Sequence, residues 1–121
     1  MAAKTVLLVD DSPTQIRIMK NTLLDNGYNV VTAVDGEEAL RKAMGEHPDL
    51  ILLDIILPKK NGFQVCRQIK TTPELKDTKI VMVSSKSHDT DRFWGLKQGA
   101  DEYLTKPFTA QELLTCVSKF A

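Results

Sequence analysis

At 121 residues and 42% apolar composition, the chain is long enough to bury a core and reads as one domain spanning 1–121. Its 16 lysines and arginines cancel its 16 aspartates and glutamates, so no overall field draws it to nucleic acid or to an anionic membrane. No apolar run approaches the length of a bilayer span, and Met1–Lys4 leads into a strand-like run rather than a signal-peptide core, which argues against membrane and secreted classes.

Strand and helix signals alternate along the chain. An apolar run predicts a strand at about 5–10, and Ser12-Pro13-Thr14-Gln15 then supplies an N-cap serine, a proline at the first helical position and a glutamine three residues after the cap. Ile16, Met19 and Leu23 fall on one face of that helix, which Gly27 closes. A second strand is predicted from Asn29 to Thr32, and a second helix, capped at Asp35, carries Ala39, Leu40 and Ala43 and ends near Gly45. The third strand is Asp49 to Asp54. Lys59-Lys60-Asn61-Gly62 reads as a loop, with Asn61-Gly62 a turn and nothing more. Phe63, Val65, Cys66 and Ile69 mark a third helix that stops before Pro73. Ile80 to Ser84 forms a fourth strand, Asp89 to Gln98 a fourth helix ending at Gly99, and Tyr103-Leu104 a short fifth strand. Thr109 to Glu112 is a capping box for a last helix lined by Leu113, Cys116, Val117 and Phe120. Five such units predict an α/β fold, a doubly wound, five-stranded parallel sheet with five helices on its two faces.

The polar residues at the strand ends carry the chemistry. Val6–Val9 runs into Asp10-Asp11, and Leu50–Leu53 into Asp54. Ligands of open parallel sheets gather at the carboxyl ends of the strands. Three carboxylates crowded there repel one another unless a cation sits among them. Mg²⁺ suits such a site, because it takes a few carboxylates and keeps its other positions for water and phosphate oxygens. Ser84 ends strand four and Lys106-Pro107 follows strand five. A carboxylate nucleophile, a metal, a lysine and a hydroxyl are the parts a phosphoryl-transfer site requires. Cys66 and Cys116 fall on helical segments without a CxxC or Cys/His cluster, so they read as small buried residues, and a reducing cytoplasm fits them. His47 and His88 lack ligand partners at useful spacing and read as surface histidines.

The motifs Val9–Ser12, Leu52–Pro58, Asn61–Phe63, Val83–Ser85 and Gly99–Phe108 together resemble the receiver domain of two-component response regulators, end to end. The resemblance implies a flavodoxin-like strand order 2-1-3-4-5. It implies Asp54 as acceptor of a phosphoryl group from a sensor histidine kinase or histidine phosphotransfer domain. It assigns Mg²⁺ to Asp10, Asp11, Asp54 and the backbone carbonyl of Ile56, phosphoryl contacts to Ser84 and Lys106, and a switch role to Tyr103, which turns inward as Ser84 moves. It also implies a cis Lys106–Pro107 bond. Such a domain is not an enzyme beyond its own phosphorylation and slow self-dephosphorylation. It binds downstream proteins through helix four, strand five and helix five, and direct DNA binding is not expected of this chain.

Other classes fit less well. A haloacid-dehalogenase-type phosphatase places two aspartates two residues apart after strand one, where this chain has Asp10 and Asp11 adjacent. A flavin-binding sheet needs a phosphate loop that Ser12-Pro13 leaves no room for, and a pseudo-receiver would lack part of the acidic set. A phosphate sink remains open beside an output messenger. Ile56 stands where many receivers carry a polar residue, and it is expected to screen the phosphoryl group and slow its hydrolysis; Lys86 places a cation at the mouth of the site. In the fourth helix Phe93, Leu96 and Ala100 share helical spacing and read as core, leaving Trp94 partly exposed as a partner anchor or packed against a lysine. The Trp94–Ala100 run, with no output domain, resembles stand-alone regulators of chemotaxis and twitching motility.

Overall fold

A computed structural model describes residues 3–85 and 88–121. Five strands and five helices alternate as β1 (Thr5–Val9), α1 (Pro13–Asp25), β2 (Asn29–Ala33), α2 (Gly36–Glu46), β3 (Leu50–Leu53), α3 (Gly62–Lys70), β4 (Lys79–Ser84), α4 (Asp89–Lys97), β5 (Glu102–Thr105) and α5 (Ala110–Ser118). The strands form one parallel sheet in the order β2-β1-β3-β4-β5. The order reverses between β1 and β3, which opens a crevice at their carboxyl ends.

Alternation along each strand divides the core into two layers. Leu7, Val9, Ile51, Leu53 and Met82 face Ala39 and Ala43 of α2 and Val65, Cys66 and Ile69 of α3. Val6, Leu8, Leu50, Leu52, Val81 and Val83 face Met19 and Leu23 of α1 and Leu113, Cys116 and Val117 of α5. Strands covered on both sides must be apolar at every position, and β3 is buried throughout. Both thiols are buried, and burial pushes each up to about 12, so neither is a nucleophile at neutral pH.

Helix ends follow their local chemistry. Ser12 Oγ accepts from the Gln15 amide, Asp35 accepts from the Glu38 amide, and Asn61 and Thr109 each close a reciprocal capping box. The second helix runs past Gly45 to Glu46 because exposed His47 takes the left-handed conformation (φ 45°) that stops it.

The fourth helix departs from expectation. Ala100 is buried beyond its end, but Phe93 and Leu96 are 58% and 50% exposed. Gly95 is the buried residue of α4, and a Cβ there would lie 3.4 Å from both Met82 Cγ and Tyr103 Cδ2. A helix seated on a glycine approaches the sheet closely, and Phe93, two residues away, is carried to the far side. The helical period was right and its phase wrong.

Candidate functional site

The sheet register assembles the polar strand ends. Val9 pairs with Leu53 in the β1–β3 ladder, and the Asp54 amide donates to the Val9 carbonyl at 3.0 Å. The Asp10 amide donates to the Ala33 carbonyl at 3.1 Å, which extends β1 by one residue. On the other flank the Lys106 amide donates to the Ser84 carbonyl at 2.8 Å, so β4 and β5 deliver Ser84 and Lys106 to the same edge. The Lys106–Pro107 bond is cis, as the resemblance implies.

At that edge the side chains of Asp10, Asp11 and Asp54 offer oxygens that all lie within 4.8 Å of one another. Asp10 is 2% and Asp54 9% exposed, while Asp11 is open to solvent. Lys106 Nζ donates to Asp10 Oδ2 at 2.7 Å and to Asp54 Oδ2 at 3.4 Å. The remaining oxygens have lighter duties. Asp10 Oδ1 accepts from the Ser12 amide at 2.9 Å and Asp54 Oδ1 from the Ile56 amide at 3.4 Å. The Ile56 side chain is exposed.

Electrostatics follow from that geometry. Burial raises the Asp54 pKa, and the neighbouring Asp10 adds to the effect while Lys106 opposes it. Burial works against the Lys106 ammonium, yet its bond to Asp10 and the charge of Asp54 outweigh it, and its pKa is raised. The two directions agree once distances are compared: Lys106 is secured chiefly by Asp10, which leaves Asp54 under-compensated. Three carboxylates against one ammonium leave excess negative charge in a crevice that is half closed to water. Hard oxygen donors with that charge fit a small divalent cation.

Two further groups complete the edge. Ser84 is buried, and its side chain is hydrogen-bonded to that of Tyr103. The sequence suggests a ring that turns inward on activation; the ring is already buried, at 7% exposure. Burial raises the Tyr103 pKa against that hydrogen bond. Arg92 lies over the ring at 5.4 Å and donates to Thr105 Oγ1 at 3.0 Å, so its side chain reaches from α4 to β5. Lys86 lies outside the described residues.

These features decide the family. Residues 6–118 match the family described as the response regulator receiver domain. The chain belongs to that family. Protein PilH of Pseudomonas aeruginosa is 38% identical over 113 residues, covering 93% of this chain and 93% of PilH. The alkaline phosphatase synthesis transcriptional regulatory protein PhoP of Bacillus subtilis is 44% identical over 110 residues, covering 91% of this chain. The receiver spans less than half of PhoP, 45% of its length. Among solved structures, the chemotaxis protein CheY4 of Vibrio cholerae superposes with a TM-score of 0.94 at 34% identity, covering 99% of this chain and 100% of that one.

Gly62, a turn residue by sequence, also contributes to the site. A Cβ on Gly62 would lie 2.3 Å from the Asp54 carbonyl oxygen and 2.8 Å from Ile55 Cα. The Gly62 amide donates to the Ile55 carbonyl at 2.8 Å. The start of α3 is therefore seated directly on the Asp54–Ile55 backbone. Gly36 plays the same part for α2, where a Cβ would meet the Lys60 carbonyl oxygen at 2.3 Å. A glycine directly after an N-cap residue was the available signal for both positions.

Proposed function

We propose that this receiver domain accepts a phosphoryl group on Asp54 from the phosphohistidine of a sensor histidine kinase or histidine phosphotransfer domain. The observation that carries this is the Asp10–Asp11–Asp54 cluster with Lys106 reaching two of its members. An Asp54 carboxylate oxygen attacks phosphorus, the phosphorus–nitrogen bond to the donor histidine breaks, and its electron pair returns to the imidazole. The raised Asp54 pKa makes its carboxylate a more basic nucleophile. Lys106 offers its charge to the transferred oxygens, and Ser84 offers its hydroxyl. Asp10, Asp11, Asp54 and the Ile56 carbonyl would hold Mg²⁺, which would supply charge neutralisation at the transferred phosphoryl group.

The hydrogen bond between Ser84 and Tyr103 supports a coupled switch in which movement of Ser84 carries the ring with it. Because the ring is already inward, phosphorylation stabilises an arrangement the chain can reach unaided, and biases an equilibrium rather than creating a new state. The surface changed is that of α4, β5 and α5, through which the receiver selects its downstream protein. Likeness to PilH and CheY4 favours a stand-alone cytoplasmic regulator in a chemotaxis or motility system. Among the described residues no helix is long and apolar enough to cross a membrane.

Incubation with acetyl phosphate and Mg²⁺, read by intact mass, tests the reading. Gain of one phosphoryl group by the wild type, absent from Asp54→Asn and without metal, is expected. No gain, from acetyl phosphate or from a phosphohistidine donor, would make the chain a binding module instead.

A further inference from the structure

By sequence Trp94 is either a partner anchor or packed against a lysine; the structure faces it toward α3 and brings Lys97 to its ring. Trp94 lines a groove of about 380 Å³ between α3 and α4, together with Arg67, Lys70, Thr71, Lys97 and Gln98. Trp94 is 51% exposed and packs edge-on against Phe93, itself exposed, at 6.0 Å. Lys97 Nζ lies 5.4 Å from the Phe93 ring and 6.0 Å from the Trp94 ring. Among the described residues no acidic side chain lines this groove.

The cations differ in availability. Lys70 is committed, donating to the Thr78 carbonyl at 2.7 Å and to Asp101 Oδ2 at 3.1 Å. Arg67 and Lys97 are exposed, and among the described residues neither has a carboxylate within ion-pair distance. Compensation of the helix dipole accounts for cations near the ends of α3 and α4, but not for an exposed tryptophan between them. In a chain of zero net charge, a groove that among the described residues has no acidic lining, two exposed cations outside any ion pair and an aromatic wall is a local, directional feature.

We propose that the α3–α4 groove binds an acidic peptide segment of a partner protein, with carboxylates on Arg67 and Lys97 and one apolar side chain against Trp94. Tryptophan and arginine are the residue types that most often dominate such contacts. Nucleic acid also stacks on aromatics, but it needs a longer track of cations than this groove provides and gains nothing from a neutral chain. The docking uses neither Asp54 nor the metal site, so it stands apart from the phosphorylation reading and goes beyond it.

Trp94 is the chain's single tryptophan, so its fluorescence reports the groove alone. The probe is a capped peptide of glutamates flanking a pair of leucines, titrated at low salt into unphosphorylated protein. Controls are the same peptide with glutamine for glutamate, and an oligothymidylate. A saturable Trp94 change is expected with the acidic peptide, about tenfold weaker with the glutamine peptide and weakened by added salt. The double variant Arg67→Glu/Lys97→Glu should lose the binding, while Lys20→Glu on the exposed face of α1 should retain it, with far-UV circular dichroism unchanged in both. Absence of saturation, equal binding by the double variant, or tighter binding of oligothymidylate would each overturn the proposal.

Discussion

Gly62→Ala probes how the acceptor segment is held. The added methyl would sit 2.3 Å from the Asp54 carbonyl oxygen, and ordinary contact begins near 3.4 Å, so α3 or the acceptor segment must retreat by about 1 Å. The neighbours are backbone atoms and no rotamer change relieves them. Overpacking of this kind costs about 1–3 kcal/mol, and weakening the 2.8 Å bond from the Gly62 amide to Ile55 adds to it. A loss of about 2 kcal/mol corresponds to a fall in Tm of roughly 8 °C for a domain of this size. Displacing a nucleophile by about 1 Å costs on the order of 100-fold in rate. Thermal unfolding by circular dichroism and the rate of phosphorylation by acetyl phosphate read the two effects. Gly45→Ala is the matched control: nothing lies within 4 Å of a Cβ there, and the residue is helical. It should stabilise by about 0.5–1 kcal/mol and leave the rate unchanged. A Gly62→Ala protein with wild-type Tm and wild-type rate would refute the claim that α3 seats the acceptor segment.

Three more outcomes follow from the site. Lys106→Ala removes the cation shared by Asp10 and Asp54; divalent-cation affinity should rise in calorimetric titration while phosphorylation slows by about 100-fold. Asp54 has a raised folded-state pKa, so without metal its ionisation opposes folding: that contribution is favourable in acid and is lost as pH rises from the ordinary carboxylate value through the raised one. Metal-free Asp54→Asn should therefore have a higher Tm than the wild type at neutral pH, and the gap should close at acid pH; a gap that widens in acid would contradict the sign. Ile56→Asn exchanges an exposed apolar side chain beside the acceptor for one that can orient water, and should shorten the lifetime of the phosphorylated form; an unchanged lifetime would remove Ile56 from the control of hydrolysis.

The strands, the helix starts and the acidic cluster were legible from local signals, whereas the strand order and the parts given to Ser84, Lys106 and Tyr103 rested on the resemblance. Apolar runs of four residues ending in acids marked β1 and β3, and caps at Ser12, Asp35 and Thr109 marked helix starts. What escaped notice depended on how closely backbones approach. Gly95 centres the buried face of α4, yet glycine contributes nothing to a hydrophobic pattern, so Phe93 and Leu96 were assigned to a core they do not enter. Gly62 looked like turn chemistry because its contact with Asp54 spans two elements. The inward pose of Tyr103 depends on Arg92 and Ser84, which only the fold brings to it.

Reductive trapping tests the central claim most directly. Protein treated with acetyl phosphate and Mg²⁺ is reduced with borohydride, which converts an aspartyl phosphate to homoserine, and the site is read by peptide mass mapping. The account predicts the reduced residue at position 54 alone, and only when metal is present. Homoserine at position 10 or 11, or phosphate recovered on a serine or histidine instead, would contradict it.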